Sequence, residues 1–176
     1  MTNWVSLLLL NVLWFASVMG AANQIIWPSA ICLLALMMVL LIQQTLTKTD
    51  FKIIVLSLVL GWFIDGYLSY SGLIEYQEVL QTPEVMPPIW ILFLWVGFGA
   101  TITKGMQWMF NNHLLGALFI VIGAPLSYYS AERLGAVEIN NYLTAMPFIA
   151  ISWLIYFFIL IQMTAYRKVS NDTVVQ

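Results

Sequence analysis

An aspartate inside a long apolar stretch is the residue of this sequence best suited to chemistry. Asp65 is the one charged residue between Lys52 and Glu75, and most of its neighbours are aliphatic or aromatic. An ionisable side chain within a membrane segment is expensive to bury, so such a residue usually serves a function. A carboxylate in this position could act as an acid or base, or could grip a small cation or a lipid headgroup.

A second polar group follows a later apolar stretch and is predicted to lie at the same depth as Asp65. At 1.5 Å per helical residue, Asp65 lies roughly 20 Å above Lys52 and therefore close to the outer surface of a bilayer. The later group supplies two phenols, a carboxylate and a guanidinium within a few residues. The candidate catalytic residues are Asp65, Tyr128 and Arg133, and the candidate ligand-binding residues are Asp65, Tyr129 and Glu132.

The same residues also admit a structural interpretation, and the sequence leaves both open. Asp65 could form a buried ion pair with Arg133, or accept a hydrogen bond from Tyr128 or Tyr129, and so join two helices. In either case its side chain should face protein or a water-filled cavity. A charge that faced lipid would cost on the order of a few kcal/mol.

Composition restricts the class of protein. Hydrophobic residues make up 62% of the chain and charged residues 8%, whereas ordinary soluble domains have roughly 45–50% and 25%. The bilayer is therefore the predicted solvent. A formal net charge of -2 leaves no basic surface for nucleic acid. A single cysteine, Cys32, and a single histidine, His113, offer no metal cluster, and no motif for a cofactor is present.

Six apolar stretches, separated by polar gaps, predict an all-α polytopic membrane bundle. Each stretch approaches the roughly 20 residues that a helix needs to span a bilayer. We expect one integral membrane domain over residues 1–176, with outward-facing polar loops at 73–88 and 130–141. The six predicted transmembrane helices cover about residues 4–20, 25–44, 52–70, 88–108, 114–131 and 146–166.

The positions of the basic residues predict the orientation of the bundle. Five of the six Lys and Arg residues fall in alternate gaps, and only Arg133 falls in the other set. Because cytoplasmic loops carry an excess of Lys and Arg, both termini are predicted to lie in the cytoplasm. The sequence thus indicates a multi-pass protein of the plasma membrane.

Small residues recur at every fourth position on two of the predicted helices. We interpret both series as helix-packing contacts rather than as the wall of a ligand cleft. On the first helix, Asn11 and Trp14 share a face and could hydrogen-bond across the bundle. The two series are Gly97, Thr101 and Gly105 on the fourth helix, and Gly123, Ser127, Ala131 and Gly135 along the fifth.

Three segments, at residues 61–65, 88–102 and 123–136, carry a family resemblance. They include the runs Gly-Trp-Phe-Ile-Asp, Pro-Ile-Trp-Ile-Leu-Phe and Gly-Ala-Pro-Leu-Ser-Tyr-Tyr. They resemble a family of small bacterial inner-membrane proteins that is known only as a domain of unknown function. Members of that family are often encoded near genes similar to cyclopropane-fatty-acid synthases. The resemblance therefore implies a bacterial inner membrane and a role in membrane-lipid modification or the response to stress, but no catalytic residue.

Two functions from different classes follow from these observations. The first is a lipid-linked membrane factor or enzyme, with membrane lipids and lipid-modifying proteins as partners. The second is a small transporter, or an accessory or structural membrane subunit, that uses Asp65 as an ion or substrate site. The residues do not decide whether the protein is an enzyme, and they do not fix its oligomeric state.

Overall fold

Helices make up most of the chain, and two short strands lie between them. The structure, a computed structural model, describes residues 2–43, 46–80, 83 and 86–174, with the backbone alone for residues 2, 3 and 165–174. The strands are β1 (Ile74–Tyr76) and β2 (Val137–Ile139). The helices are α1 (Thr2–Ala22), α2 (Trp27–Ile42), α3 (Lys48–Tyr70), α4 (Ile89–Gly105), α5 (Gln107–Asn111), α6 (His113–Arg133) and α7 (Tyr142–Val174).

Four of these helices are long and apolar enough to cross a membrane. This confirms the predicted helical architecture and its compatibility with a membrane. The four candidate spans are Trp4–Ala22, Lys48–Tyr70, His113–Arg133 and Tyr142–Thr164. Helices α2 and α4 are equally apolar but have 16 and 17 residues. Six spans with both termini in the cytoplasm therefore stay a prediction.

The helix ends depart from the predicted bounds where local capping residues intervene. One helix was expected over 88–108, but α4 stops at Gly105, a residue type that weakens helix interiors. Met106 then leaves helical geometry, at φ -115° and ψ 30°, and α5 forms separately. The last helix begins at Tyr142 rather than 146, because the Asn141 side chain accepts from the backbone of Thr144 and caps it.

The two strands form a small antiparallel sheet where irregular polar loops were expected. Ile74 pairs with Ile139 and Tyr76 with Val137, and these four side chains are buried. Alternation along a strand turns the intervening Glu75 and Glu138 outwards, directly opposite each other. Part of each predicted loop thus forms a strand that packs on one end of the helical bundle. We call this end the strand end.

The packing of the helices centres on α4. It lies against α1, α2 and α3, while α6 packs on α7 and α7 on α3. At the end opposite the strands, Lys104 of α4 forms an ion pair with Asp50 of α3, at 3.1 Å. At the strand end, the Gln24 side chain in the α1–α2 turn donates to that of Gln77, just after β1. Helices α1 and α6 approach across the remaining gap through one hydrogen bond, from Trp14 Nε1 to Ser127 Oγ at 2.9 Å.

Candidate functional site

Three hydrogen-bond donors from three different elements converge on the carboxylate of Asp65. Tyr76 of β1 and Tyr128 of α6 each donate a phenol hydrogen to Oδ1, at 2.7 Å. The Trp95 indole of α4 donates to Oδ2 at 2.6 Å. Asp65 has no exposed surface, in agreement with the expectation that it faces protein rather than lipid. We call these four residues the Asp65 cluster.

Gly61 makes room for the cluster on α3. It lies one helical turn before Asp65, and the Trp95 ring packs directly on it, so that a Cβ atom at Gly61 would overlap the indole. The same ring stacks on Trp153 of α7, with centroids 4.5 Å apart. Trp95 is therefore held between α3 and α7 with its N–H directed at the carboxylate.

The Asp65 carboxylate is compensated by hydrogen bonds rather than by a cation. No described basic side chain pairs with it. Burying an unpaired carboxylate is costly, and each bond to a charged group returns about 1.5–3 kcal/mol. Burial and the nearby Asp65 charge raise the pKa of the Tyr76 phenol well above its ordinary value, so this phenol stays protonated and can donate. The cluster thus surrounds the Asp65 carboxylate with three donors, two of which are phenols.

The predicted pairing of Asp65 with Arg133 is wrong, whereas the predicted hydrogen bond from Tyr128 is present. Arg133 lies five residues beyond Tyr128, which on a helix of 3.6 residues per turn rotates it about 140° away. It is exposed at the end of α6 and forms no ion pair with a described side chain. Tyr129 is 43% exposed and lies outside the cluster.

Glu132, the remaining candidate, is used at the junction of α6 with the chain that follows it. One of its carboxylate oxygens accepts from the backbone N–H of Ile139 in β2, at 2.9 Å. The other accepts from the Tyr142 hydroxyl at the start of α7. Both contacts tie the small sheet and α7 to the end of α6. Glu132 therefore has a structural explanation independent of any ligand.

An apolar cavity of about 230 Å³ lies between α1, α4 and α6 and borders the Asp65 cluster. Trp95 and Tyr128, two of the three donors to Asp65, form part of its wall. The Trp153 indole N–H, which also lines it, is buried beside the Tyr128 hydroxyl and makes no normal hydrogen bond with the described residues. We call this space the inner cavity. A molecule inside it would contact side chains that bond directly to Asp65.

The small residues of α6 line this cavity in addition to making helix contacts, since Ser127 also accepts the hydrogen bond from Trp14 of α1. Gly123, Ser127 and Ala131 all face it. A Cβ atom added at Gly123 would meet only the Phe119 ring, at 3.8 Å or more. The series on α4 does behave as expected, because a Cβ atom at Gly97 would overlap Leu13 of α1.

A second buried carboxylate, Asp50, was not recognised as a site from the sequence. One of its oxygens accepts from the Thr103 hydroxyl at 2.6 Å and pairs with Lys104, and the other accepts from Thr47. Only 1% of its surface is exposed. The signal for it was present, since Thr47-x-x-Asp50 fits a helix capping box. These four residues form the Asp50 cluster, which joins α3 to α4.

The described part of the chain offers no centre for a metal. It contains no group of three or more His, Cys, Asp or Glu side chains close enough to hold an ion. His113 is exposed at the start of α6, and Cys32 is a partly buried free cysteine on α2.

Comparison with known proteins places the chain in a family without assigning an activity. Residues 3–159 match the family described as a protein of unknown function (DUF2878). The chain belongs to this family. No curated protein and no solved structure matches it significantly. For this member of the family, the function has to be argued from the cavity and the polar clusters.

Proposed function

We propose that this protein binds a membrane lipid in the inner cavity and acts in membrane-lipid modification or the response to membrane stress. The observation that carries the proposal is the shared wall: Trp95 and Tyr128 line the cavity and bond to Asp65. An apolar chain in the cavity would therefore contact Trp95 and Tyr128, the two side chains of its wall that donate hydrogen bonds to the buried carboxylate. The family resemblance to proteins encoded near lipid-modifying enzymes supports the same direction.

The size and position of the cavity favour part of a lipid as its occupant. Its volume of about 230 Å³ falls below the roughly 300–1,000 Å³ of pockets that enclose a drug-sized molecule. One acyl-chain segment fits this description better than a whole lipid does. Phe119 of α6 lines the cavity and is 48% exposed, so this helix would meet lipid where it flanks the cavity.

A catalytic role would fall to Tyr128 rather than to Asp65. Asp65 has no exposed surface and does not line the cavity. Tyr128 lies between the two, with its hydroxyl bonded to the carboxylate. In such a role Tyr128 would exchange a proton with the bound molecule, and Asp65 would act through it as a positioning residue.

The alternative of a small transporter or an accessory subunit has less support. An ion that used Asp65 would have to displace three hydrogen bonds from Tyr76, Trp95 and Tyr128. All three donors lie at the strand end, and Asp50 at the other end of α3 is occupied by its own partners. These clusters suit fixed joints between helices better than steps along an ion path.

We also propose six crossings of a bacterial inner membrane, with both termini in the cytoplasm and the strand end outside. The five basic residues on the other side of the bundle support this orientation. Reporter fusions after Lys48, Lys104 and Gln176 should report cytoplasm, and fusions near Glu78 and Glu138 should report the outside. An external reporter at Gln176 would overturn the orientation.

The lipid role is tested by measuring the lipid composition of a strain that lacks the gene and carries the wild-type chain, Gly123→Ala or Gly123→Leu. The wild-type chain and Gly123→Ala should restore the lipid composition. Gly123→Leu should not, because its side chain fills the cavity. Equal restoration by Gly123→Leu at wild-type protein levels, or an unchanged lipid composition in the deletion strain, would contradict the proposal.

A further inference from the structure

We propose that the phosphate of a phospholipid binds at Arg133, in a cleft beside the inner cavity, while the lipid's acyl chain occupies that cavity. This inference rests on the lipid-binding function proposed above and adds the class of lipid and the place of its headgroup. The cleft, called here the outer cleft, has a volume of about 390 Å³ and lies between α1 and α6. Its α6 side carries Arg133, Tyr129 and Ser130 together with Leu126 and Leu134, and its α1 side carries Trp14 and Phe15.

The outer cleft contains the guanidinium of Arg133, whose described electrostatic partner is the Tyr142 phenol rather than a directly paired carboxylate. Arg133 is exposed and forms no ion pair with any described side chain. Its neighbour Glu132 is turned to Ile139 and Tyr142 instead. The guanidinium can therefore offer its planar pair of N–H groups to a phosphate, which arginine binds in bidentate fashion.

A second donor lies on the same face of α6. Tyr129 is four residues before Arg133, a spacing that places two side chains side by side on a helix. Its ring is 43% exposed, and it lines the outer cleft together with Arg133. A phenol hydroxyl can donate to a phosphate oxygen. A guanidinium and a phenol at one helix end suit an anion that carries several acceptor oxygens.

Trp14 is the wall that the two spaces share. Its side chain lines both the inner cavity and the outer cleft, and its N–H is bonded to Ser127. One side chain thus borders both a site for an anion and a site for an apolar chain. Phospholipids have this construction, with the charged group at the membrane surface and the chain directed inwards. Arg133 lies at the end of α6, where a headgroup would be, and the cavity lies deeper.

The test uses the purified full-length chain in detergent and lipids that carry a photoactivatable diazirine in one acyl chain. One lipid is a phosphatidylglycerol, and the other is a diacylglycerol with the same chains but no phosphate. Capture is measured by mass spectrometry, and crosslinks are mapped to peptides. We expect the phosphatidylglycerol to label the peptide that contains Gly123 more strongly than the diacylglycerol does.

Two variants separate the headgroup site from the cavity. Arg133→Gln should reduce capture of phosphatidylglycerol about tenfold, or about 1.4 kcal/mol, and leave capture of diacylglycerol unchanged. Lys52→Gln serves as the matched control, because it removes an exposed cation near the start of α3, at the end of the bundle away from Arg133. It should leave the capture of both lipids unchanged. Gly123→Leu should reduce labelling by both lipids.

The outcomes distinguish the two proposals. If Arg133→Gln captures phosphatidylglycerol as well as the wild type does, while Gly123→Leu does not, the headgroup site is refuted and the lipid cavity stands. If Gly123→Leu leaves labelling by both lipids unchanged, the cavity is not the acyl-chain site and both proposals fail. Equal losses with Arg133→Gln and Lys52→Gln would assign the effect to net charge and would also overturn the headgroup site.

Discussion

Replacing Gly61 with alanine tests how the Asp65 cluster is held together. The added Cβ atom would overlap the Trp95 indole, and the ring would have to move away from the carboxylate. Overpacking costs about 1–3 kcal/mol, and a lost hydrogen bond to a charged group costs about 1.5–3 kcal/mol. Alanine regains about 1 kcal/mol of helix propensity. We therefore expect Gly61→Ala to lower the free energy of unfolding by about 1.5–5 kcal/mol.

The chain supplies a matched control for this substitution. Gly123 is also a helix glycine, but a Cβ atom there meets only the Phe119 ring, at 3.8 Å or more. Gly123→Ala should therefore leave stability unchanged or raise it by up to about 1 kcal/mol. Both variants are measured by denaturation of the purified protein in detergent, followed by circular dichroism.

A double mutant decides whether Trp95 carries the effect of Gly61→Ala. Trp95→Leu removes both the overlapping ring and its hydrogen bond, so Gly61→Ala should cost little in that background. If Gly61→Ala is as stable as Gly123→Ala, the Trp95 ring does not hold the Asp65 cluster in the way described. The same conclusion follows if Gly61→Ala costs as much without Trp95 as with it.

Further predictions concern the other polar contacts, and each is checked by the same unfolding measurement. Tyr128→Phe removes one phenol donor from a buried carboxylate and should cost about 1.5–3 kcal/mol; a loss of about 1 kcal/mol or less, typical of a bond between neutral groups, would argue against a charged acceptor. Lys104→Met should cost on the order of 3 kcal/mol because it strands the Asp50 charge, and Asp50→Asn in the same chain should recover part of the loss. Glu138→Gln should raise stability by about 0.2–1 kcal/mol, because it removes the repulsion between the Glu75 and Glu138 carboxylates, which lie directly opposite each other in the strand pair. No gain in stability at low salt would contradict this prediction.

Hydropathy was enough to predict the helices, because each apolar stretch has to find an apolar environment along its whole length. It also identified Asp65, since one charge in an apolar run is conspicuous without any knowledge of the fold. The break at Met106 was missed because Gly105 is one of several glycines on α4, and the others lie within the helix. A glycine weakens a helix, but its neighbours in space decide whether the helix ends there.

The partners of Asp65 were harder to predict for a geometric reason. Tyr76 lies in a segment that reads as a polar loop, and it reaches Asp65 because β1 pairs with β2, which is distant in sequence. Trp95 is one of several tryptophans in the apolar stretches, where aromatic residues are common. Tyr128 was predicted because its depth could be counted from the helix ends. The error with Arg133 arose because depth alone was compared and rotation about α6 was not.

The shortness of α2 has a consequence for the membrane around the protein. At 1.5 Å per residue its 16 residues cover about 24 Å, whereas the hydrocarbon core of a bilayer is about 30 Å thick. Ile31, Leu34 and Met38 are more than half exposed on this helix, so lipid chains would lie directly against it in the proposed arrangement of six spans. Hydrophobic mismatch of this kind is relieved by local thinning of the bilayer. We therefore expect the protein to compress the lipids beside α2 and to prefer the thinner regions of its membrane.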